Sequence, residues 1–375
     1  MMPEEQLRRV TVMITGAGGA GYPLIFKALR SSSRYNVRIV AADVNPLAGN
    51  LYRDDWVDAA YCVPAVDSPD YIDRMLAIVK SEGVGFWLSA VDEELPLVSR
   101  NRELLASLGC RIVLPTEAPL VAAFDKRATN NALQDVIAIP KTIYPDEDSD
   151  LAQVFAELGN DVVIKACRTR GNRHNYRVDS LAELKLRSDQ FREQNIDFMC
   201  QSFVAGDEYN ISLMADAEGE IIYAVARQKI DPPRTRPNTF AGLVRRDAAL
   251  EADAIAAVRA MKLYPGTSNV EFIKPPGGRG LAIDVNGGRH AAQDYNLIDS
   301  GINIPEMLLD MAHGIEVLPV SPTMVKSGRI TLKFVDEYTI DLDELISRCH
   351  GAIESGHLEG LRKALQALEL DTAAQ

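Results

Sequence analysis

The sequence predicts an α/β front domain followed by α+β units, and three observations carry that prediction. Short β-branched runs alternate with helical stretches from Val10 to about Pro115, antiparallel hairpins and longer helices take over beyond it, and no internal repeat is visible. At about one domain per 150 residues, a chain of 375 residues holds two or three packed units.

The front segment reads in order as strand VTVMITG, a Gly-rich turn, helix PLIFKALRSS, strand VRIVAADV, helix YIDRMLAIVKSEG, strand VGFWLSAV, helix ELPLVSRNRELLASLG and strand RIVLP. Strand and helix alternating at this spacing argue a parallel sheet with helices on its faces. A helix-like APLVAAFDKRATNNALQ follows, and then helix AQVFAELG, strand DVVIKA, an Arg/Gly loop, helix LAELKLRSDQFREQ and strand FMCQSFV, which form a compact subdomain. EYNISLMAD and EIIYAVARQK make a hairpin turning at AEGE; a helix EADAIAAVRAMKL, a second hairpin around PPGGRG and a helical tail after Pro305 complete the order. The expected boundaries are a front domain at 1–115, a second domain at 116–320 with a lid-like subdomain at about 136–203, and a strand and helix extension at 321–375 that packs on the second domain or forms a homodimer contact.

Composition narrows the function classes. With 40 Lys and Arg against 53 Asp and Glu, the net charge is −13, which excludes a broad basic face for nucleic acid. No apolar stretch reaches the roughly 18 residues that span a bilayer, so no membrane partner is expected. The polar start MMPEEQLRRV leaves no room for a cleaved signal peptide, and the cysteines Cys62, Cys110, Cys167, Cys200 and Cys349 form no CxxC pair. A reduced, cytoplasmic protein without structural zinc is the expectation.

The segment Ser268 to Arg289 carries the chemistry. With its turn centred between Gly277 and Gly278, Glu271 faces Asp284 and Asn269 faces Asn286, all on one side of the pair, while Val270, Phe272, Ile283 and Val285 fill the other. Two acids and two amides opposite an apolar face ask for a hard cation such as Mg²⁺ or Mn²⁺, which takes its remaining ligands from water or phosphate; the plain alternative is a solvent-facing edge hairpin. Phosphate contacts are at hand. Lys165 ends the apolar strand DVVIKA, Arg168, Arg170, Gly171 and Arg173 follow it, and Lys126 stands before a helix.

With these residues in view, the chain resembles the ATP-grasp superfamily over about residues 10 to 320, and most of all its carbamoyl-phosphate-synthase-like carboxylate–amine ligases. The resemblance rests on motif order: TGAGGAG, Asp125-Lys126, VVIK ending in Lys165, QSFVAGDEYN, and the hairpin with Glu271 and the D-x-N of Asp284 and Asn286, with 13 residues from Glu271 to Asp284. It implies a Rossmann-like pre-ATP-grasp domain before a two-lobed ATP-grasp fold. It implies further that Lys126 and Lys165 contact ATP phosphates, that Gln201, Phe203 and Val204 clasp adenine, that Glu208 binds ribose, and that Glu271, Asp284 and Asn286 hold Mg²⁺. The implied activity joins a small-molecule carboxylate to an amine through an acyl-phosphate, releasing ADP and phosphate, with Lys165 and Arg289 as the catalytic pair and Arg170 on the phosphates. Three departures stand out: an Asp at the second acid, Asn286-Gly-Gly-Arg289 in place of N-x-R, and a lid loop rich in arginine.

Substrate candidates are Arg227, Lys229, Arg234, Arg236, His290, Asp92, Glu93 and Glu94, each of which is more readily read as an ordinary solvated charge. Two further functions remain open. TGAGGAG with Asp43 matches a dinucleotide turn and would make the chain an NAD(P)-dependent oxidoreductase or epimerase. A non-catalytic ATP-binding regulator would keep the same site without turnover.

Overall fold

A computed structural model describes residues 7–19, 21–89, 91–169, 174–230, 241–290, 294–333, 337–351 and 358. The chain divides into two compact units, one of residues up to Val113 with 297–317 and 334–375, the other of Leu114–Asn296 with Leu318–Lys333.

The first unit is built on a parallel sheet. β1 (Arg8–Thr15), β2 (Tyr35–Asp43), β3 (Ala59–Cys62) and β4 (Phe86–Ser89) take the order β3-β2-β1-β4, and a fifth strand from the far end of the chain pairs parallel to β3. β1 and β2 are apolar without alternation over Val12–Ile14 and Ile39–Ala42, as expected of strands covered on both faces. The helices are α1 (Tyr22–Arg30), α2 (Tyr71–Glu82), α3 (Leu95–Arg100) and α4 (Arg102–Ser107). α1 starts with Pro23 in its first turn and buries Leu24, Ile25, Ala28 and Leu29 at helical spacing. The expected helix from Glu94 to Gly109 is two helices broken at Asn101, whose side-chain Nδ2 donates to the Leu97 carbonyl. RIVLP forms no strand beyond a single parallel bridge of Arg111 to Phe86, and the short β3 was missed because AAYC has neither length nor alternation.

The second unit begins with α5 (Glu117–Phe124) and α6 (Lys126–Leu133), separated at Asp125, whose carboxylate accepts from the Arg127 and Ala128 amides and so caps α6. β5 (Thr142–Ile143), α7 (Leu151–Glu157), β6 (Val162–Ala166), β7 (Asn175–Val178), α8 (Leu181–Glu193) and β8 (Phe198–Ser202) make a four-stranded sheet of order β5-β8-β6-β7 with its own core around Val162, Ile164, Leu184, Phe191 and Phe198. Gly206 leads out of it into the larger sheet at a point where a Cβ would collide with the Lys274 carbonyl.

The larger sheet is antiparallel, with the order β13-β12-β9-β10-β11-β14. Its strands are β9 (Asp207–Ala215), β10 (Ile221–Lys229), β11 (Ala241–Val244), β12 (Gly266–Lys274), β13 (Leu281–Gly287) and β14 (Ile330–Leu332). One face packs Tyr209, Ile211, Ala226, Val270, Phe272, Ala282 and Val285 against α9 (Ala248–Ala260). α10 (Tyr295–Ile298) precedes α11 (Ile304–Ala312), which lies in the first unit, where Glu306 accepts from Ser32 and Asp310 accepts from the Tyr35 hydroxyl at 2.8 Å. The tail after residue 321 is shared. β14 joins the second unit, while α12 (Leu342–Arg348) and β15 (Cys349–His350), the strand on β3, belong to the first.

Candidate functional site

The hairpin β12–β13 has the expected register where it matters: Asn269 pairs with Asn286 and Glu271 with Asp284. Nearer the turn the register shifts by one, and Phe272 pairs with Ala282. Ile283 is therefore the extra residue of a bulge. The expectation that it fills the core is corrected, because Ala282 takes that place and Ile283 stays half-buried. The bulge leaves the Ile283 carbonyl in reach of Lys165, whose Nζ donates to it at 3.3 Å.

Continuing the register across the sheet, Glu271 also pairs with Asn210 on β9, and Asn210 with Arg227 on β10. Strand alternation then puts Arg227, Lys229, Glu208, Asn210, Asn269, Glu271, Asp284 and Asn286 on the face opposite the α9 core. Lys229 Nζ lies 2.8 Å from Glu271 Oε2 and 3.7 Å from Glu208 Oε2. Burial opposes its charge, but the two carboxylates outweigh burial and hold its pKa above the ordinary lysine range. Asn286 Nδ2 approaches Asp284 Oδ2 at 3.5 Å, and Arg289 Nη2 donates to Asn286 Oδ1 at 3.3 Å.

The four-stranded sheet and α6 supply the cations. Lys165 is buried on β6, and burial pushes its pKa down to about 8, with Asp284 acting against the shift and Lys126 adding to it. Lys126, the first residue of α6, donates to the Thr169 carbonyl at 2.9 Å and stands 3.8 Å from Asp284 Oδ1. Arg168 Nε pairs with Asp125 Oδ2 at 2.8 Å and is otherwise exposed. Arg170, with Gly171 and Arg173, falls outside the described residues, as do Arg234 and Arg236.

The strand β8 and its exit hold the remaining group. Gln201 is buried and donates to Thr142 Oγ1 at 2.9 Å; Phe203 is half-buried with the Arg177 guanidinium 3.6 Å from its ring centre; Val204 is half-buried, and Glu208 is exposed. His290 is buried, and burial pushes its pKa down to about 4 against the pull of Asp294, so the ring is neutral. Glu94 lies in the first unit's core, not on a surface. Its carboxylate accepts from Ser89 at 3.0 Å, and burial raises its pKa to about 7. Asp92 and Glu93 also belong to the first unit, Asp92 half-buried and Glu93 exposed. Sequence reasoning missed Asn210 and Asp294. The first was detectable as a polar residue two positions after Glu208, on the same face of its strand; the second gave no signal.

Glu271, Asp284 and Asn286 fit a hard cation, since every donor is an oxygen. Among the described residues no three His, Cys, Asp or Glu side chains cluster as a self-sufficient metal site. A cation here needs further ligands from a bound phosphate or water.

Residues 12–113 match the family model for the PylC-like N-terminal domain. Curated proteins give no sequence match. Among solved structures, L-amino acid ligase from Bacillus licheniformis is similar with a TM-score of 0.62 at 16% identity over 86% of this chain and 79% of that one. Biotin carboxylase from Campylobacter jejuni, in complex with β,γ-ATP, gives 0.64 at 18% identity over 86% and 74%. The chain has the ATP-grasp fold. A third ATP-grasp structure, N5-carboxyaminoimidazole synthetase from Staphylococcus aureus complexed with ADP, gives 0.62 at 13% identity over 87% and 81%. No helix among the described residues is long and apolar enough to cross a membrane.

Proposed function

We propose that this protein is an ATP-dependent ligase that activates a small-molecule carboxylate as an acyl-phosphate and joins it to an amine, releasing ADP and phosphate. The observation that carries the reading is the meeting of two lysines with the acidic hairpin: Lys165 reaches the Ile283 carbonyl and Lys126 stands by Asp284. Two ammonium groups beside two carboxylates make a site where a polyanion and a divalent cation complete each other's charge.

In this reading Lys126 and Lys165 hold the α and β phosphates, and Arg170 adds a further positive charge for them. Gln201, Phe203 and Val204 border the adenine, and Glu208 meets the ribose. Glu271, Asp284 and Asn286 hold Mg²⁺ or Mn²⁺, which when bound neutralises phosphoryl charge. Lys229 then leaves Glu271 for the phosphates or the substrate carboxylate. Arg289, at 3.3 Å from Asn286, presents a planar fork to the transferred phosphoryl group. The carboxylate oxygen attacks the γ-phosphorus, the bond to the β-phosphate oxygen breaks, and the amine then displaces phosphate from the acyl carbon.

The first unit gives little support to a dinucleotide cofactor. The Gly18 amide, which would face a pyrophosphate, donates instead to Asp43 Oδ2 at 2.8 Å, and Asp43 Oδ1 accepts from Asn45. The five cysteines are buried and unpaired among the described residues, which suits a reducing cytoplasm.

ADP release measured over a panel of carboxylates and amines tests the reading. Glu271→Ala and Asp284→Ala are expected to abolish it while the protein still melts cooperatively. Near-wild-type turnover in either variant sinks the cation assignment, and ATP binding without turnover for any pair supports a regulator instead.

A further inference from the structure

Beside the acidic pair runs a file of side chains of which the proposed reaction uses only the last, Asn286. Arg227 on β10, Asn210 on β9, Asn269 on β12 and Asn286 on β13 lie on adjacent strands, and all four are buried. Arg227 Nη2 donates to Asn210 Oδ1 at 3.1 Å, Asn210 Nδ2 donates to Asn269 Oδ1 at 3.0 Å, and Asn286 Nδ2 donates to the same oxygen at 3.3 Å. Arg227 is itself held by Asp294 at 2.6 Å, with neither side chain exposed at all.

Each bond in this file dictates the sense of the next. A guanidinium has donors and no acceptor, so Asn210 must turn its oxygen toward Arg227 and its nitrogen toward Asn269. Asn269 must answer with its oxygen, and Asn286 must meet that oxygen with its own nitrogen. The Asn286 oxygen is thereby left pointing away from the file, where Arg289 Nη2 reaches it. Of the two ends of an amide, only the oxygen ligates a hard cation.

We propose that Arg227 is a positioning residue that fixes, through Asn210 and Asn269, which atom of Asn286 is offered to the cation. The inference rests on the reading of Glu271, Asp284 and Asn286 as the cation face. It goes further by making cation affinity depend on a side chain three strands away from Asn286, with no contact to the ion.

An isosteric exchange separates this role from mere support. In the Asn210→Asp variant the new carboxylate can still pair with Arg227 but can no longer donate to Asn269. Asn269 must then turn its nitrogen toward it, Asn286 must turn its oxygen inward, and a nitrogen faces the cation. Asn269→Asp, by contrast, accepts both existing donors and leaves Asn286 as it is. Simple electrostatics predicts that either added negative charge tightens cation binding; the file predicts opposite results.

The experiment is ATP binding to the full chain by titration calorimetry over a series of Mg²⁺ concentrations and in chelator, alongside thermal unfolding. Asn210→Asp is expected to raise the Mg²⁺ concentration needed for half-maximal ATP binding about tenfold or more, the range seen when the partner of a metal ligand is lost, without changing binding in chelator. Asn269→Asp is expected to keep Mg²⁺ affinity at or above that of the wild type, and Arg227→Lys, still donor-only, to stay close to it. Should Asn210→Asp fail to fold, Asn269→Leu removes the acceptor without adding charge and must likewise raise the Mg²⁺ concentration needed. Mg²⁺ affinity in Asn210→Asp, or in Asn269→Leu if that variant has to serve, equal to or tighter than the wild type overturns the positioning role. A wild-type protein that binds ATP equally with and without Mg²⁺ overturns the cation reading itself, and the positioning role with it.

Discussion

Replacing Lys165 with methionine tests the electrostatics of the cleft from two sides. Burial holds this ammonium at a pKa of about 8, against an ordinary value of 10.5. At about 1.4 kcal/mol per pH unit, that gap corresponds to about 3 kcal/mol of folding free energy lost to keeping the group charged. The unfolded chain holds its proton up to the ordinary value, so between the two pKa values it binds more protons than the folded protein, and stability rises with pH there. Below the lower pKa the cost is present in full. The stability advantage of Lys165→Met over wild type is therefore expected to be largest near neutral pH and to shrink as pH rises through this window, when measured by denaturant unfolding without nucleotide. ATP affinity should move the opposite way. Phosphates favour the ammonium, so wild-type binding should weaken about tenfold per unit above the lower pKa while Lys165→Met, weak throughout, shows no such slope. A wild-type affinity flat from about pH 7 to about pH 10, or an equal slope in the variant, refutes the assignment of Lys165 to the phosphates.

Two other outcomes follow from packing. Phe272→Ala empties a wholly buried position between β12 and α9 and should cost about 3–5 kcal/mol in chemical denaturation, while Val270→Ala at the neighbouring core position costs less; an effect below about 1 kcal/mol for Phe272 would contradict the core described for this sheet. Gly206→Ala forces a Cβ into the Lys274 carbonyl and should lower stability by about 1–3 kcal/mol, with ATP affinity reduced as well because the residues leading from β8 to Glu208 must shift; thermal unfolding and calorimetry read the two effects.

Much of this site could be read before any coordinates because its signals are local. Lys165 is conspicuous as a charge closing an apolar strand, and the facing of Glu271 with Asp284 follows from two-residue alternation and a Gly-Gly turn. The bulge at Ile283 was invisible, since an extra residue in one strand leaves the apolar pattern plausible in either register. Asn210 and Asp294 were not legible as a group with Arg227, because their partnership depends on which strands become neighbours. The break between α5 and α6 is written in Asp125, a good cap within a sequence that otherwise reads as continuous helix. β15 was lost inside an expected helix because two residues cannot display a period.

The sharing of the tail between both units bears on how the chain can be made and cut. The first unit holds α11 through Glu306 and Asp310 and borders β3 with Cys349 and His350, so it is unfinished until residue 350 has left the ribosome. The second unit likewise waits for β14 to cover the edge of β11. Contacts this remote in sequence slow folding and leave sheet edges open during synthesis, where they can pair with other chains. A fragment ending at Val113 would carry every residue of the family match and still lack two pieces of its own fold.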